Sequence, residues 1–129
     1  MLNKQKAAEI IKQFVTDILP GEEWYRLVRP EVKAIILYGS VAKGTNKPDS
    51  DIDILLILPL ETEEKYTTGE YFYDSQGYKI NIVLRSIERL RKIAREHRDE
   101  QQKAVFENAE IVSSIDNEVK LLLQKIKTI

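Results

Sequence analysis

Asp51 and Asp53 stand two residues apart at the head of an apolar run that continues to Leu58. On an extended strand this spacing sends both carboxylates out of one face. Like charges held that close repel unless a cation stands between them. Magnesium meets the requirement, because it takes oxygen ligands and is commonly held by one or two carboxylates together with substrate phosphates. The plain alternative is a solvated strand end beside a polar loop. Beyond Asp53 both faces turn apolar, so the pair marks the rim of a buried strand. Gly39-Ser40 follows a second apolar run, Val32 to Tyr38, and opens what reads as a helical turn. Free backbone N–H groups at such a turn favour an anion, and glycine lets a phosphate come close. Ser40 adds a hydroxyl donor, and also reads as an ordinary helix cap. Gly44 reads as turn geometry, and Lys47 and Asp49 as loop solubility. A phosphate cradle and a magnesium site at neighbouring strand ends together describe a site for a metal-bound nucleoside triphosphate.

With those residues in place, the run Gly39-Ser40, ten residues, then Asp51-Ile52-Asp53 resembles the signature of the minimal nucleotidyltransferases. They are a branch of the polymerase-β-like nucleotidyltransferase superfamily that includes small antitoxin-type and antibiotic nucleotidyltransferases. Ala42-Lys43-Gly44 resembles the usual Ala-Arg-Gly form, and Pro48-Asp49-Ser50 precedes the acidic pair as is common there. The close match runs from Ile35 to Ile57, under a fifth of the chain. The resemblance implies that Asp51 and Asp53 bind one or two magnesium ions and that Gly39 and Ser40 hold the β- and γ-phosphates. Lys43 stands where an arginine is frequent, and either touches a phosphate or is solvated. The implied reaction passes a nucleoside monophosphate from a nucleoside triphosphate, ATP foremost, to an acceptor hydroxyl, with pyrophosphate leaving.

The chain departs from the family at one place. A third carboxylate is usual on the next core strand, where it completes the metal site and helps to deprotonate the acceptor. Here that strand is Tyr78 to Val83, and Asn81 holds the position. An amide oxygen ligates metal but carries no charge and is no base near neutral pH. Asn81 therefore reads either as a degenerate metal position or as a polar residue facing water. Glu70 and Asp74 on the preceding run are candidate replacements whose facing the sequence does not fix.

These residues need a sheet to hold them. Ala7, Ile10, Ile11, Phe14 and Ile18 have the spacing of an amphipathic helix over Asn3 to Leu19, ended by Pro20-Gly21. A loop with Trp24, Tyr25 and Pro30 leads to a strand over Val32 to Tyr38. A short helical turn and loop, Val41 to Ser50, precede a strand over Asp51 to Leu58. Glu61 to Lys65 reads as a charged connection. Thr67 to Asp74 and Tyr78 to Arg85 form a hairpin around Ser75-Gln76-Gly77. Ser86 caps a helix with Ile87, Leu90, Ile93 and Ala94 on one face, continuing, with or without a break, through the polar stretch from His97 to Lys103. Asp116 caps a last helix striped by Val119, Leu122, Leu123 and Ile126. The fold expected is α+β: a mixed sheet of about four to five strands with helices packed on it. It is expected to be one domain over 1–129, divided into an N-terminal helix and loop (1–30), the core sheet with the motif (31–85) and C-terminal helices (86–129).

Composition agrees. The chain has 129 residues, 43% hydrophobic and 32% charged, which suits one globular domain. Its longest apolar run, Ile54 to Leu60, is far short of the roughly 20 residues of a membrane span. Lys4, Lys6, Glu9 and Lys12 interrupt any apolar leader in the first residues, so a cytoplasmic location is expected. No cysteine and one histidine leave oxygen as the only plausible metal ligand. A net charge of −1 argues against a nucleic-acid partner. Interleaved acids make the basic stretch from Arg85 to Lys103 read as an ion-paired helix face rather than a polyanion track. Trp24, Tyr25 and the tyrosines 66, 71, 73 and 78 either stack on a base or partner or simply fill half-buried strands.

The expected function is magnesium-dependent nucleotidyl transfer to a hydroxyl of a protein partner or a small molecule. The alternative is a catalytically degenerate nucleotide-binding module, antitoxin-like, that acts by binding a partner. Little chain remains after the core sheet for an acceptor-binding domain. A second copy or another protein is therefore expected to complete the cleft.

Overall fold

The computed structural model describes residues 2–66, 71–96 and 100–128. Helix α1 (Lys4–Asp17) starts at Asn3, whose side chain accepts the Lys6 N–H at 2.8 Å, and buries Ala7, Ile10, Ile11 and Phe14. Ile18, expected on that stripe, lies past the helix end and is 44% exposed. The Trp24–Tyr25 segment is no simple loop. It forms a short helix, α2 (Glu23–Val28), between 3-10 turns at Leu19–Gly21 and Arg29–Glu31. Pro20 and Pro30 sit in the first turns of those elements, where a missing N–H costs nothing.

Strand β1 (Ala34–Tyr38) leads directly into α3 (Gly39–Lys43), and β2 (Ile52–Leu58) follows. The charged connection is also helical: α4 (Leu60–Tyr66) precedes β3 (Tyr71–Ser75) and β4 (Tyr78–Ser86). Its sequence carries no apolar stripe because tertiary capping holds it. Glu63, 3% exposed, accepts the Ser86 N–H at 2.9 Å and pairs with Arg89 at 3.2 Å. Glu88 in return accepts the Leu60 N–H at 2.7 Å. The two acidic side chains thus serve the chain end opposite their own. Thr67 to Glu70, the start of the expected hairpin, lie outside the described residues, as does His97.

The hairpin turn is Gln76-Gly77, both at positive φ, the conformation whose twist suits two closing strands. Ser86 does cap α5 (Ile87–Glu96), accepting the Arg89 N–H at 3.1 Å. Then come α6 (Glu100–Phe106), β5 (Glu110–Ser114) and α7 (Asn117–Lys127). Asp116 caps α7 as expected, accepting the Glu118 N–H at 2.8 Å. Strand β5 was not expected. It is a half-exposed edge with only Ile111 and Val112 turned toward apolar neighbours, too few for a strand pattern.

The five strands lie in the order β3-β4-β2-β1-β5, with β2 and β4 parallel and every other pair antiparallel. This is the mixed α+β sheet that was expected. One face packs on α1 and α2 through Ile35, Leu37, Ile54, Leu56, Ile80 and Ile82. The other packs on α5, α6 and α7 through Ile36, Leu55, Ile57, Leu90, Phe106 and Leu123. Burial makes β2 the centre of the molecule, with Asp53 the one residue along it that is not fully buried. No described helix is long and apolar enough to cross a membrane.

The basic stretch is laced by ion pairs. Arg91 bridges α5 to α7 by donating to both Glu118 oxygens at 2.7 and 2.8 Å, and Arg95 lies 3.7 Å from Glu96. The hydrogen bonds from Arg91 hold the Glu118 carboxyl below its ordinary value of 4.5. A carboxyl depressed in the folded state contributes stability above its unfolded pKa and loses it as pH falls through the folded one. Both partners are exposed, so Glu118→Gln should cost at most about 1 kcal/mol near neutrality. In thermal melts across pH the difference from wild type should shrink below about pH 4. A gap that persisted or grew in acid would contradict this sign.

Candidate functional site

The sheet register gathers the candidate residues into one row. Tyr38 of β1 is paired with Asp53 of β2, Asp53 with Asn81 of β4, and Asn81 with Phe72 of β3. Directly paired residues project from the same face, so the four side chains stand side by side at about 4.8 Å intervals. It is the α5–α7 face, at the end of the sheet toward Gly39 and the β3–β4 hairpin.

Asn81 thus occupies the strand position beside Asp53, and its Nδ2 donates to Asp53 Oδ1 at 3.3 Å. It is only 8% exposed, and its Oδ1 is buried without a hydrogen-bond partner. A buried amide oxygen left unpaired costs about 1–3 kcal/mol. Asn81 therefore does not simply face water. Its amide N–H is committed to Asp53, and its Oδ1 has no hydrogen-bond partner. Asp74 is exposed and pairs in register with Lys79, one step further toward the hairpin turn, while Glu70 lies outside the described residues.

Asp51 is the residue before β2, outside the ladder that fixes Asp53. The preceding turn sets its approach: Ser50 Oγ accepts the Lys47 N–H at 2.7 Å while the Ser50 N–H donates to the Lys47 carbonyl at 3.0 Å. Lys47 and Asp49 are exposed. Among the described residues no three carboxylate or imidazole groups come together as a metal cluster. The candidate oxygens are those of Asp51 and Asp53 and the amide oxygen of Asn81. They form an all-oxygen set suited to a hard divalent cation that takes its remaining ligands from phosphate and water.

Gly39 has two reasons to be glycine. Its φ is +80°, in the left-handed region, and a Cβ built there would come 2.3 Å from Asp53 Oδ2. The backbone at the start of α3 therefore lies flat against the carboxylate. Ser40 follows at the first turn, and Val41 and Ala42 anchor α3 in the α1-side core. Lys43 is exposed one turn on and forms no ion pair among the described residues. Gly44 ends the helix at φ +78°, with the Thr45 N–H reaching back to the Ser40 carbonyl at 3.0 Å.

The aromatic residues serve the opposite face. Trp24 stacks on Tyr71 with ring centroids 4.0 Å apart and donates its indole N–H to the Tyr73 hydroxyl at 2.7 Å. Burial pushes the Tyr73 phenol above its ordinary value. These rings join α2 to β3 and do not border the Asp53 row. Phe72, between the two tyrosines, does, and reading the sequence by composition alone misses it. The available signal was parity: where β3 and β4 pair, the other site-side positions are Asp74, Lys79 and Asn81. Clefts of about 580 and 620 Å³ lie elsewhere, one between β5 and α7 and one lined by Arg85, Arg89, Lys92 and the start of α6.

A family model described as nucleotidyltransferase domain matches residues 22–122, most of the chain. No curated protein matches. Among solved structures, a nucleotidyltransferase-like protein from Exiguobacterium sibiricum 255-15 superposes with a TM-score of 0.60 at 12% identity. The alignment covers 91% of this chain and 38% of that one, so this chain spans well under half of that relative's length and the likeness is one of fold. A toxin-antitoxin structure with AMP-PNP aligns over 82% of this chain and 80% of its own at 18% identity. Its TM-score is 0.43.

Proposed function

The chain belongs to the nucleotidyltransferase domain family, and on that premise we propose that it binds a nucleoside triphosphate with magnesium at the Gly39–Asp53–Asn81 site and transfers the nucleoside monophosphate to a hydroxyl. The observation that carries this reading is the contact of Gly39 with Asp53, which sets a glycine-opened backbone directly against a carboxylate. Gly39 and Ser40 offer N–H and hydroxyl donors to the outer phosphates. Lys43 lies one turn along to meet their charge. Asp51, Asp53 and the unpaired Asn81 Oδ1 would hold magnesium, which when bound supplies charge stabilisation at the reacting phosphate. The acceptor oxygen forms a bond to the α-phosphorus as the α–β bridging P–O bond breaks, and pyrophosphate leaves with that electron pair. The hydroxyl proton passes to water, because Asn81 has no basic atom and Asp53 would be committed as a metal ligand. The acceptor is a partner protein or a small molecule, and a second chain would close the site beside Phe72, the exposed end of the row.

One observation favours a second reading. Asn81 stands where a base would serve, and its Nδ2–H donates a hydrogen bond to Asp53 instead. Nucleotide binding then outlasts transfer, and the domain acts as a nucleotide-loaded binding module. Calorimetry with magnesium and ATP separates these readings when combined with labelled-nucleotide transfer to a co-purified partner. Wild type should bind, and Asp53→Asn should lose at least tenfold in affinity. Binding that ignores Asp53 overturns both readings, and binding without transfer selects the module.

A further inference from the structure

Phe72 is 59% exposed on an edge strand, and its neighbours on either side, Tyr71 and Tyr73, are packed against Trp24 and Phe14. Single exposed apolar residues are ordinary, and Ile18, Leu27, Ile115 and Leu121 are others. Phe72 differs in place. It is the last member of the row Tyr38, Asp53, Asn81, Phe72, on the face that holds the candidate site.

Order along the row gives that ring a job. Gly39 and Ser40 lie at the β1 end, beside Asp53. In nucleotidyl transfer the attacking and leaving oxygens are in line through the phosphorus. With the outer phosphates at the β1 end and the reacting phosphorus near Asp53, the attacking hydroxyl must come from the β4 side, over Asn81. One strand spacing further, about 5 Å, lies the Phe72 ring. Whatever carries the hydroxyl has its body there. A phenyl group offers that body a flat apolar surface and no hydrogen bond, so it favours planar or apolar groups over polyols.

We infer that Phe72 is the floor of the acceptor subsite, and that the acceptor bears its hydroxyl on a planar or apolar group. This rests on the nucleotide reading above. Phe72 would act as a specificity-determining residue, touching the acceptor and not the nucleotide.

The experiment uses isotope-labelled full chain with magnesium and α,β-methylene ATP, titrated with 2-phenylethanol or with glycerol and followed by amide shifts. Expected is saturable movement of the Phe72, Asn81 and Lys79 signals with 2-phenylethanol and none with glycerol. Phe72→Ala should weaken 2-phenylethanol at least fivefold, and Phe72→Trp should keep it. Affinity for the ATP analogue should be the same in all three proteins. Because the ring is exposed, the variants should melt with wild type. Equal 2-phenylethanol binding by Phe72→Ala, or glycerol binding as well, overturns the inference. So does a loss of analogue affinity in Phe72→Ala, which would place the ring under the base. Failure of wild type to bind the analogue at all defeats the nucleotide reading, and the acceptor role with it.

Discussion

Gly39→Ala should abolish nucleotide binding while Gly44→Ala leaves it intact, although the two glycines have almost the same backbone angle. Their φ values are +80° and +78°, so alanine pays a similar left-handed cost at either position, about 1–2 kcal/mol. The difference lies in what a methyl group meets. At Gly44 there is nothing within 4 Å. At Gly39 the new Cβ falls 2.3 Å from Asp53 Oδ2 and 3.2 Å from its Cγ, so the carboxylate or the α3 backbone has to move by about an ångström to restore contact distance. Asp53 cannot give way cheaply, since it is fixed by the β2 ladder and hydrogen-bonded to Asn81. Total destabilisation of about 2–4 kcal/mol is expected for Gly39→Ala, against about 1–2 for Gly44→Ala. Urea melts read the stability difference. Calorimetry with magnesium and ATP should show at least a tenfold loss for the first variant and none for the second. Equal binding by the two variants would show that Gly39 is glycine for its backbone angle alone.

This contrast also marks how far the sequence could be read. Gly39-Ser40 and Asp51-Ile52-Asp53 were legible because a motif is a spacing, and spacing survives translation into strands. The placement of Asn81 beside Asp53 was legible only through the family resemblance, since strand pitch alone does not say that β2 pairs with β4. The Gly39–Asp53 contact was not, because it depends on how β1 and β2 pair, which no local pattern records. Helix α4 has no local signature because it is held by Glu63 accepting the Ser86 N–H and by Glu88 of α5 accepting the Leu60 N–H, contacts 23 and 28 residues apart in sequence. Strand β5 escaped notice because an edge strand with two inward residues has too little periodicity to stand out. Phe72 was not legible, because its meaning comes from the row it ends, and that row exists only once the strands pair.

Asn81→Asp should make the protein weaker without metal and better with it. In the metal-free protein the substitution exchanges an amide donor, 3.3 Å from Asp53 Oδ1, for a second carboxylate. Two carboxylates that close cannot both ionise freely, so the pair titrates with one proton held well above the ordinary carboxylate range near pH ~4. A carboxyl whose pKa is raised on folding favours the folded state below its unfolded pKa and loses that contribution as pH rises through the folded one. Melts in EDTA should therefore show Asn81→Asp destabilised at pH 7 and recovering toward wild type in mild acid. Magnesium reverses the sign, because a third charged oxygen completes the ligand set where the amide oxygen now stands unpaired. At saturating magnesium the variant should gain the linkage stabilisation of a tighter site, with affinity raised roughly tenfold or more. If wild type transfers nucleotide slowly for want of a base, transfer should rise by roughly 10²–10⁴-fold, the usual contribution of general base catalysis. A variant destabilised equally with and without magnesium would show that Asn81 Oδ1 faces no cation. The amide would then be there to quiet Asp53, and the row would be the floor of a binding module.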